Sequence, residues 1–160
     1  MDESRVIVRK ALISDAKAIH ALLMSWSAKE VLLPRSLTQI YTHIREFFVL
    51  CREGQGEAGQ VLGCCALSIF WEDLAEIRSL AVHPDFCGRG YGRLLMDAAI
   101  AEARTFGLKR LFALTYQVRF FERMGFSQVG KDTLPQKVWS DCVNCPRFPD
   151  CDEVAVVMEM

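Results

Sequence analysis

The alternation of apolar and polar positions divides the chain into short segments of two kinds. Val6-Ile7-Val8-Arg9-Lys10 is β-branched and reads as a strand. Behind it, Ser14 and Asp15 are candidate N-caps for a helix whose apolar residues Ala18, Ile19, Leu22 and Leu23 recur at helical spacing. After Pro34, Ser36-Leu37-Thr38-Gln39 has the S-x-x-Q form of a capping box, and Leu37, Ile40, Tyr41 and Ile44 supply the apolar stripe of a second helix. Residues 47–51 are apolar and read as a strand, and the polar, Gly-rich residues 53–60 read as a hairpin turn. Residues 61–70 and 74–82, separated by Trp71-Glu72-Asp73, predict two long central antiparallel strands. Residues 90–106 form the main predicted helix, ended by Gly107. Residues 111–115 read as a buried strand, 118–124 as a short helix closed by Gly125, and 154–158 as a final strand. The order β-α-α-β-β-β-α-β-α-β places a β-α-β portion behind an antiparallel meander. It predicts an α/β (α+β) fold with one mixed, twisted sheet of about six or seven strands and helices on both faces.

Composition narrows the class of partner. The 160 residues suit one domain, and no linker divides them, so residues 1–160 are expected to form a single unit with a Cys/Pro-rich loop at 132–153 before the last strand. A net charge of −1 lacks the basic excess that a phosphate-tracking surface needs, which argues against nucleic acid and for small molecules. No apolar run reaches the roughly 18 residues of a membrane span, and Asp2, Glu3, Ser4 and Arg5 do not open a signal segment, so a cytoplasmic protein is expected. The seven cysteines are odd in number, and Cys64 and Cys65 are neighbours that face opposite sides of a strand; mostly reduced thiols follow.

His83-Pro84-Asp85-Phe86-Cys87-Gly88-Arg89-Gly90-Tyr91-Gly92 joins a predicted strand to a predicted helix, where backbone N–H groups at a helix start bind anions. Glycines let that backbone approach oxygen atoms closely, although a tight turn needs glycine as well. The spacing differs from the dinucleotide G-x-G-x-x-G fingerprint, and no acidic residue follows on a second strand about 20 residues on, which disfavours a nicotinamide enzyme.

Leu80-Ala81-Val82-His83-Pro84 followed by Gly88-Arg89-Gly90-Tyr91-Gly92 resembles the acetyl-CoA motif of GNAT acetyltransferases, Q/R-x-x-G-x-G/A, and Phe121-Glu122-Arg123-Met124-Gly125-Phe126 resembles their later YEKLGF segment. The resemblance covers almost the whole chain. It implies acetyl-CoA as co-substrate, with Leu80, Ala81 and Val82 along the pantetheine arm and Gly88, Arg89, Gly90, Tyr91, Gly92 and Arg93 at the pyrophosphate. Cys87 stands at the usual Gln/Arg position, and Phe121 where many members keep a tyrosine general acid, so the leaving thiolate must be protonated from elsewhere.

Acyl transfer to an amine requires a neutral amine, a polarised thioester carbonyl and a proton for the thiolate. Strand alternation puts Glu76, Arg78 and Leu80 on one face of the strand leading into the cofactor loop, which makes Glu76 the leading general base; the alternative is a surface charge pattern of Glu76 and Arg78. GNAT enzymes carry a glutamate base at the corresponding place. A narrower resemblance is to the acetyltransferase domain of N-acetylglutamate synthases: Val31-Leu32-Leu33-Pro34-Arg35-Ser36 is similar to their ILLRRS, Gly63-Cys64-Cys65-Ala66-Leu67 to GCAAL, Ala75-Glu76-Ile77 to GEI, and Leu111-Phe112-Ala113-Leu114-Thr115 to LFALS. This resemblance implies L-glutamate as acceptor, Arg35 and Lys137 on its carboxylates, and Thr115 in place of a serine that helps protonate the thiolate. Arg suits a carboxylate through its planar fork, and two cations match a diacid. Where longer synthases carry a lysine this chain has Ser68, and Arg78 replaces its charge at the acceptor. The amino-acid-kinase domain that precedes the acetyltransferase in those longer enzymes is expected to be missing here.

Cys142, Cys145 and Cys151 give C-x2-C-x5-C, open to three readings: a structural zinc site needing an outside ligand, a redox-sensitive thiol pair, or an ordinary loop packed over the acceptor site. No metal is expected to be required. His20, His43 and His83 read as surface or packing residues, and Trp71 and Trp139 as core-edge or acceptor-pocket residues. Beside the amino-acid acetyltransferase stand a GNAT enzyme acting on protein amino groups or other amines, and a silent acyl-CoA sensor, which would not need Glu76. A homodimer is compatible with this reading.

Overall fold

The computed structural model describes residues 5–27, 35–53, 60–134 and 153–160. Its strands are β1 (Val6–Lys10), β2 (Phe47–Arg52), β3 (Val61–Trp71), β4 (Leu74–Val82), β5 (Arg110–Thr115), β6 (Ser127–Val129) and β7 (Val154–Glu159). Its helices are α1 (Ala16–Ser27), α2 (Leu37–Thr42), α3 (Tyr91–Thr105) and α4 (Val118–Arg123). The strands form one sheet in the order β1-β2-β3-β4-β5-β7-β6. Only β4 and β5 pair in parallel, joined by the crossover through α3; the other neighbours are antiparallel.

Each helix buries most of its predicted apolar stripe, although Ala18 of α1 and Tyr41 of α2 are exposed. Leu95, Met96, Ala99, Ile100 and Ala103 of α3 and Phe121 of α4 pack on one side of the sheet against Phe48, Leu50, Leu62, Cys65, Leu67 and Ile77. Ile19, Leu22 and Leu23 of α1 and Ile40 of α2 cover the other side over Phe47, Val49, Cys64 and Ala66. The predicted mixed sheet with helices on both faces is what is found. Among the described residues no helix is long and apolar enough to cross a membrane.

Local signals held in part. Ser36 Oγ accepts the Gln39 N–H at 3.1 Å while Gln39 Oε1 accepts the Ser36 N–H at 3.0 Å, the reciprocal pair of a capping box. That helix is only one and a half turns long, because Ile44 belongs to a following 3-10 turn, Ile44–Glu46. Ser14 and Asp15 are not N-caps. They lie inside a 3-10 turn, Ile13–Asp15, that runs straight into α1, and the Asp15 carboxylate reaches back to accept the Leu12 N–H at 2.7 Å. Strand β6 escaped the sequence reading because it has three residues, two of them polar, and exists by pairing with β7. Trp71 does not join the core edge: it is 54% exposed at the β3–β4 turn. The residues 54–59 of the predicted hairpin, and Lys137, Trp139, Cys142, Cys145 and Cys151, lie outside the described residues.

Asp15 gives the fold a pH dependence. Burial to 2% exposure pushes its carboxyl up, but the Arg9 guanidinium, at 2.7 and 3.1 Å, and the Leu12 N–H outweigh this and hold it below its ordinary value. A depressed folded-state value stabilises above the unfolded value of about 4 and loses that contribution as pH falls through the folded one. Asp15→Asn is therefore expected to lose about 1–3 kcal/mol at neutral pH, with the gap to wild type closing in acid, as urea unfolding across pH would record.

Candidate active site

Strands β4 and β5 pair only at Leu74↔Arg110, Ala75↔Leu111 and Glu76↔Phe112. Beyond Glu76 they part, and a cleft of about 590 Å³ opens between them, with Ile77 to Val82 on one wall and Leu114 and Thr115 on the other. The cause is legible in β4. Ser79 has φ 55°, in the left-handed region that a non-glycine residue rarely adopts, and the register to β3 slips from Ala66↔Arg78 to Cys64↔Ala81. This bulge bends the strand away from β5. Its strain is held from both sides: Arg35 Nη1 donates to Ser79 Oγ at 3.0 Å, and the Cys64 thiol donates to the Ser79 carbonyl at 3.3 Å. Burial pushes the Cys64 and Cys65 thiols up, so neither is a nucleophile.

The bulge corrects one expectation from alternation. Glu76 and Arg78 share the sheet face of Ser68 and Ala66, but the extra residue flips the phase, and Leu80 packs with the α3-side core instead. Glu76 is 8% exposed at the apex where the strands part, with Arg78 Nη1 at 3.6 Å from its Oε1. Arg78 lines the cleft. Arg35 lies buried on the same face, over the Phe47 ring. Burial, then the neighbouring Arg78 charge, lowers Arg35 to about 10 against the pull of Glu46 and Glu76. A guanidinium so placed gains from a further carboxylate.

At the cleft's other end, Gly88, Gly90, Tyr91, Gly92 and Arg93 line the wall. Gly90, at φ +81°, is the N-cap of α3, whose first-turn N–H groups have no carbonyl to bond within the helix. A Cβ on Gly92 would meet the Phe120 ring at 3.2 Å, so glycine lets α3 approach α4. Arg89 is not among the lining residues; its guanidinium lies over the Phe86 ring. Leu80, Ala81 and Val82 all line the cleft, but the Val82 carbonyl already accepts the Trp26 indole N–H at 2.9 Å. Thr115 Oγ1 accepts the Gln117 N–H at 2.7 Å, which leaves its own hydroxyl proton to donate into the cleft. Phe121 fills the core edge-on to Phe126 and offers no proton.

An extended ligand with an anionic end fits this shape: an unpaired strand edge, an apolar trough and a helix start in line. Residues 16–126 match the Acetyltransferase (GNAT) family. The chain belongs to that family. As a GNAT acetyltransferase it is an acetyl-CoA-dependent N-acetyltransferase, and its co-substrate's thioester supplies the acetyl group. It is 42% identical to an uncharacterized N-acetyltransferase of Chlorobaculum tepidum, over 98% of both chains. It is 36% identical to an amino-acid acetyltransferase of Mycobacterium tuberculosis, over 87% of this chain and 78% of that one. Among solved structures it superposes on the N-acetylglutamate synthase of Neisseria gonorrhoeae, complexed with coenzyme A and N-acetyl-glutamate, with TM-score 0.85 and 32% identity. That match takes in 99% of this chain and 36% of the longer synthase.

Among the lining residues that the sequence did not single out are Trp26, Ser79 and Glu153. Trp26 sits in a helix where its apolar ring satisfied the core stripe, and only its Nε1 contact reveals the cleft. Ser79 gave no signal because a bulge at serine has no sequence mark. Glu153, buried at the start of β7 beside the Thr115↔Val154 pair, was hidden by the cysteine-rich stretch before it. Among the described residues no three His, Cys, Asp or Glu side chains gather as metal ligands.

Proposed function

We propose that this GNAT acetyltransferase acetylates the amino group of L-glutamate. The observation that carries the reading is a pair of cations, the buried Arg35 and the half-buried Arg78, beside the carboxylate Glu76 where β4 and β5 part. Two guanidinium groups on one sheet face suit an acceptor with more than one carboxylate, and an adjacent carboxylate suits its ammonium. The synthase likeness supports the same acceptor, and Lys137 is the further cation that it brings.

In this reading the β4 edge from Ile77 to Val82 holds the pantetheine amides as a neighbouring strand would, and residues 88–93 hold the pyrophosphate. Glu76 takes one proton from the acceptor ammonium. The freed amine can then attack the thioester carbonyl, and the Thr115 hydroxyl serves the departing sulfur. Arg35 and Arg78 fix the acceptor so that its nitrogen faces the carbonyl.

Coenzyme A release measured against a panel of free amino acids tests the acceptor. Glutamate should lead. Glutamine should lose about 2–4 kcal/mol in kcat/KM, because it leaves a cation unpaired, and aspartate should be poor because it is one methylene short. Arg35→Ala should raise the glutamate KM strongly and that of acetyl-CoA much less, since the Cys64 bond to the Ser79 carbonyl still holds the bulge. Faster acetylation of glutamine or of a peptide N-terminus would remove glutamate and leave the acetyltransferase.

A further inference from the structure

The base needs an outlet. Each turnover leaves one proton on Glu76, which is 8% exposed, and the acceptor and its co-substrate occupy the cleft side. On the other side of β4, toward β3 and β2, the same sheet face carries further polar side chains. Ser68 pairs directly with Glu76 across β3 and β4, is itself 5% exposed, and follows Cys64 and Ala66 on a face otherwise filled by Phe47 and Val49. Its Oγ donates to Glu46 Oε1 at 2.7 Å. Glu46 Oε2 lies 3.5 Å from His43 Nδ1, and the His43 side chain is 47% exposed. Polar side chains thus follow one another from Glu76 at the apex of the cleft, through its cross-strand neighbour Ser68, to the surface beside α2.

We propose that Ser68, Glu46 and His43 form the exit route for the proton that Glu76 removes from the acceptor. The inference rests on Glu76 being the base. Directly opposed side chains on antiparallel strands stand about 5 Å apart at Cβ, within reach of each other or of one bridging water. Glu76 passes its proton to Ser68 Oγ as the serine's own hydroxyl proton moves to Glu46 Oε1. Glu46 passes it to His43 Nδ1, the Nε2 proton leaves to water, and proton exchange of the exposed ring with water restores the Nε2–H tautomer before the next turnover. One proton crosses from amine to solvent, and every group on the way returns to its starting charge. Arg35 is in electrostatic range of both Glu46 and Glu76, so the hop between the two carboxylates leaves the total charge facing that guanidinium unchanged. The charged groups along the way are His43 beside Glu46, Arg78 beside Glu76, and Arg35, on which both carboxylates and Arg78 act. Ser68, Glu46 and His43 are positioning residues: they act through Glu76 and not on the substrates.

The test uses the full chain with both substrates saturating. Ser68→Ala and Glu46→Gln should each lower kcat by about tenfold, less than direct loss of a base, without moving the acetyl-CoA KM. Adding imidazole as an external proton carrier should restore most of the rate in both, whereas Ser68→Thr, which keeps the hydroxyl, should run at the wild-type rate without it. The solvent deuterium effect on kcat should rise in Ser68→Ala and fall back with imidazole. An unchanged kcat in folded Ser68→Ala and Glu46→Gln, or a loss that imidazole does not restore, overturns the route. Glu76→Gln in the same assay separates the two ideas: if it is inactive while Ser68→Ala is fully active, the base stands and the route falls. If Glu76→Gln keeps wild-type turnover, the base itself falls.

Discussion

Glu76→Gln should lower kcat about 100-fold or more at neutral pH, about 2.7 kcal/mol of barrier, with acetyl-CoA affinity nearly unchanged. The amide keeps the shape and the burial of the side chain at the β4–β5 apex but cannot accept a proton. Its position at the last residue of β4 paired to β5 separates the two effects, because the cofactor wall begins one residue later, at Ile77. Stopped-flow turnover and direct coenzyme A titration of the same variant would show the split. Unchanged turnover across pH would move the base to another group.

Gly90→Glu should cut acetyl-CoA affinity by more than about 100-fold. Two unit charges about 5 Å apart repel by about 3 kcal/mol at an effective dielectric near 20, and the new carboxylate would stand at the helix start that faces the phosphates. Folding should suffer less. The backbone strain at φ +81° costs about 1–2 kcal/mol, nothing within 4 Å obstructs a Cβ there, and a negative charge suits a helix N-terminus. Gly90→Ala isolates the strain and should bind only modestly worse by calorimetry. Wild-type affinity in folded Gly90→Glu would remove residues 88–93 as the pyrophosphate cradle.

The sequence made elements legible wherever side-chain pattern alone sets the outcome. The capping box at Ser36, the extent of α3 and the long β3–β4 pair all follow from local pattern, and each is where the pattern put it. The misses share a different cause: they depend on backbone geometry or on partners far away in the chain. Alternation carried Leu80 onto the Glu76 face because nothing in Arg78-Ser79-Leu80 announces a bulge; the φ of Ser79 is imposed by Arg35 and Cys64, residues 44 and 15 positions away. Asp15 looked like a cap and is instead the carboxylate that closes its own turn onto Arg9. In the site, strand alternation pointed to Glu76 and the glycine loop to an anion site, the family resemblance implied Arg78 and residues 88–93, and Ser68 and Glu46 became a pair only once β2 and β3 were aligned.

Strand β7 lies between β5 and β6, although it follows both in the chain. As the polypeptide leaves the ribosome, β1 to β5 can assemble in sequence, but the outer edge of β5 has no partner until β7 emerges. That edge is Leu111-Phe112-Ala113-Leu114, apolar and uncharged, the composition most able to pair with a neighbouring nascent chain. The cleft wall carrying Thr115 is thus the last part of the sheet to be shielded. The yield of soluble protein should depend on how quickly synthesis runs from β5 to β7, which makes slow codons in the intervening stretch a hazard independent of the finished fold's stability.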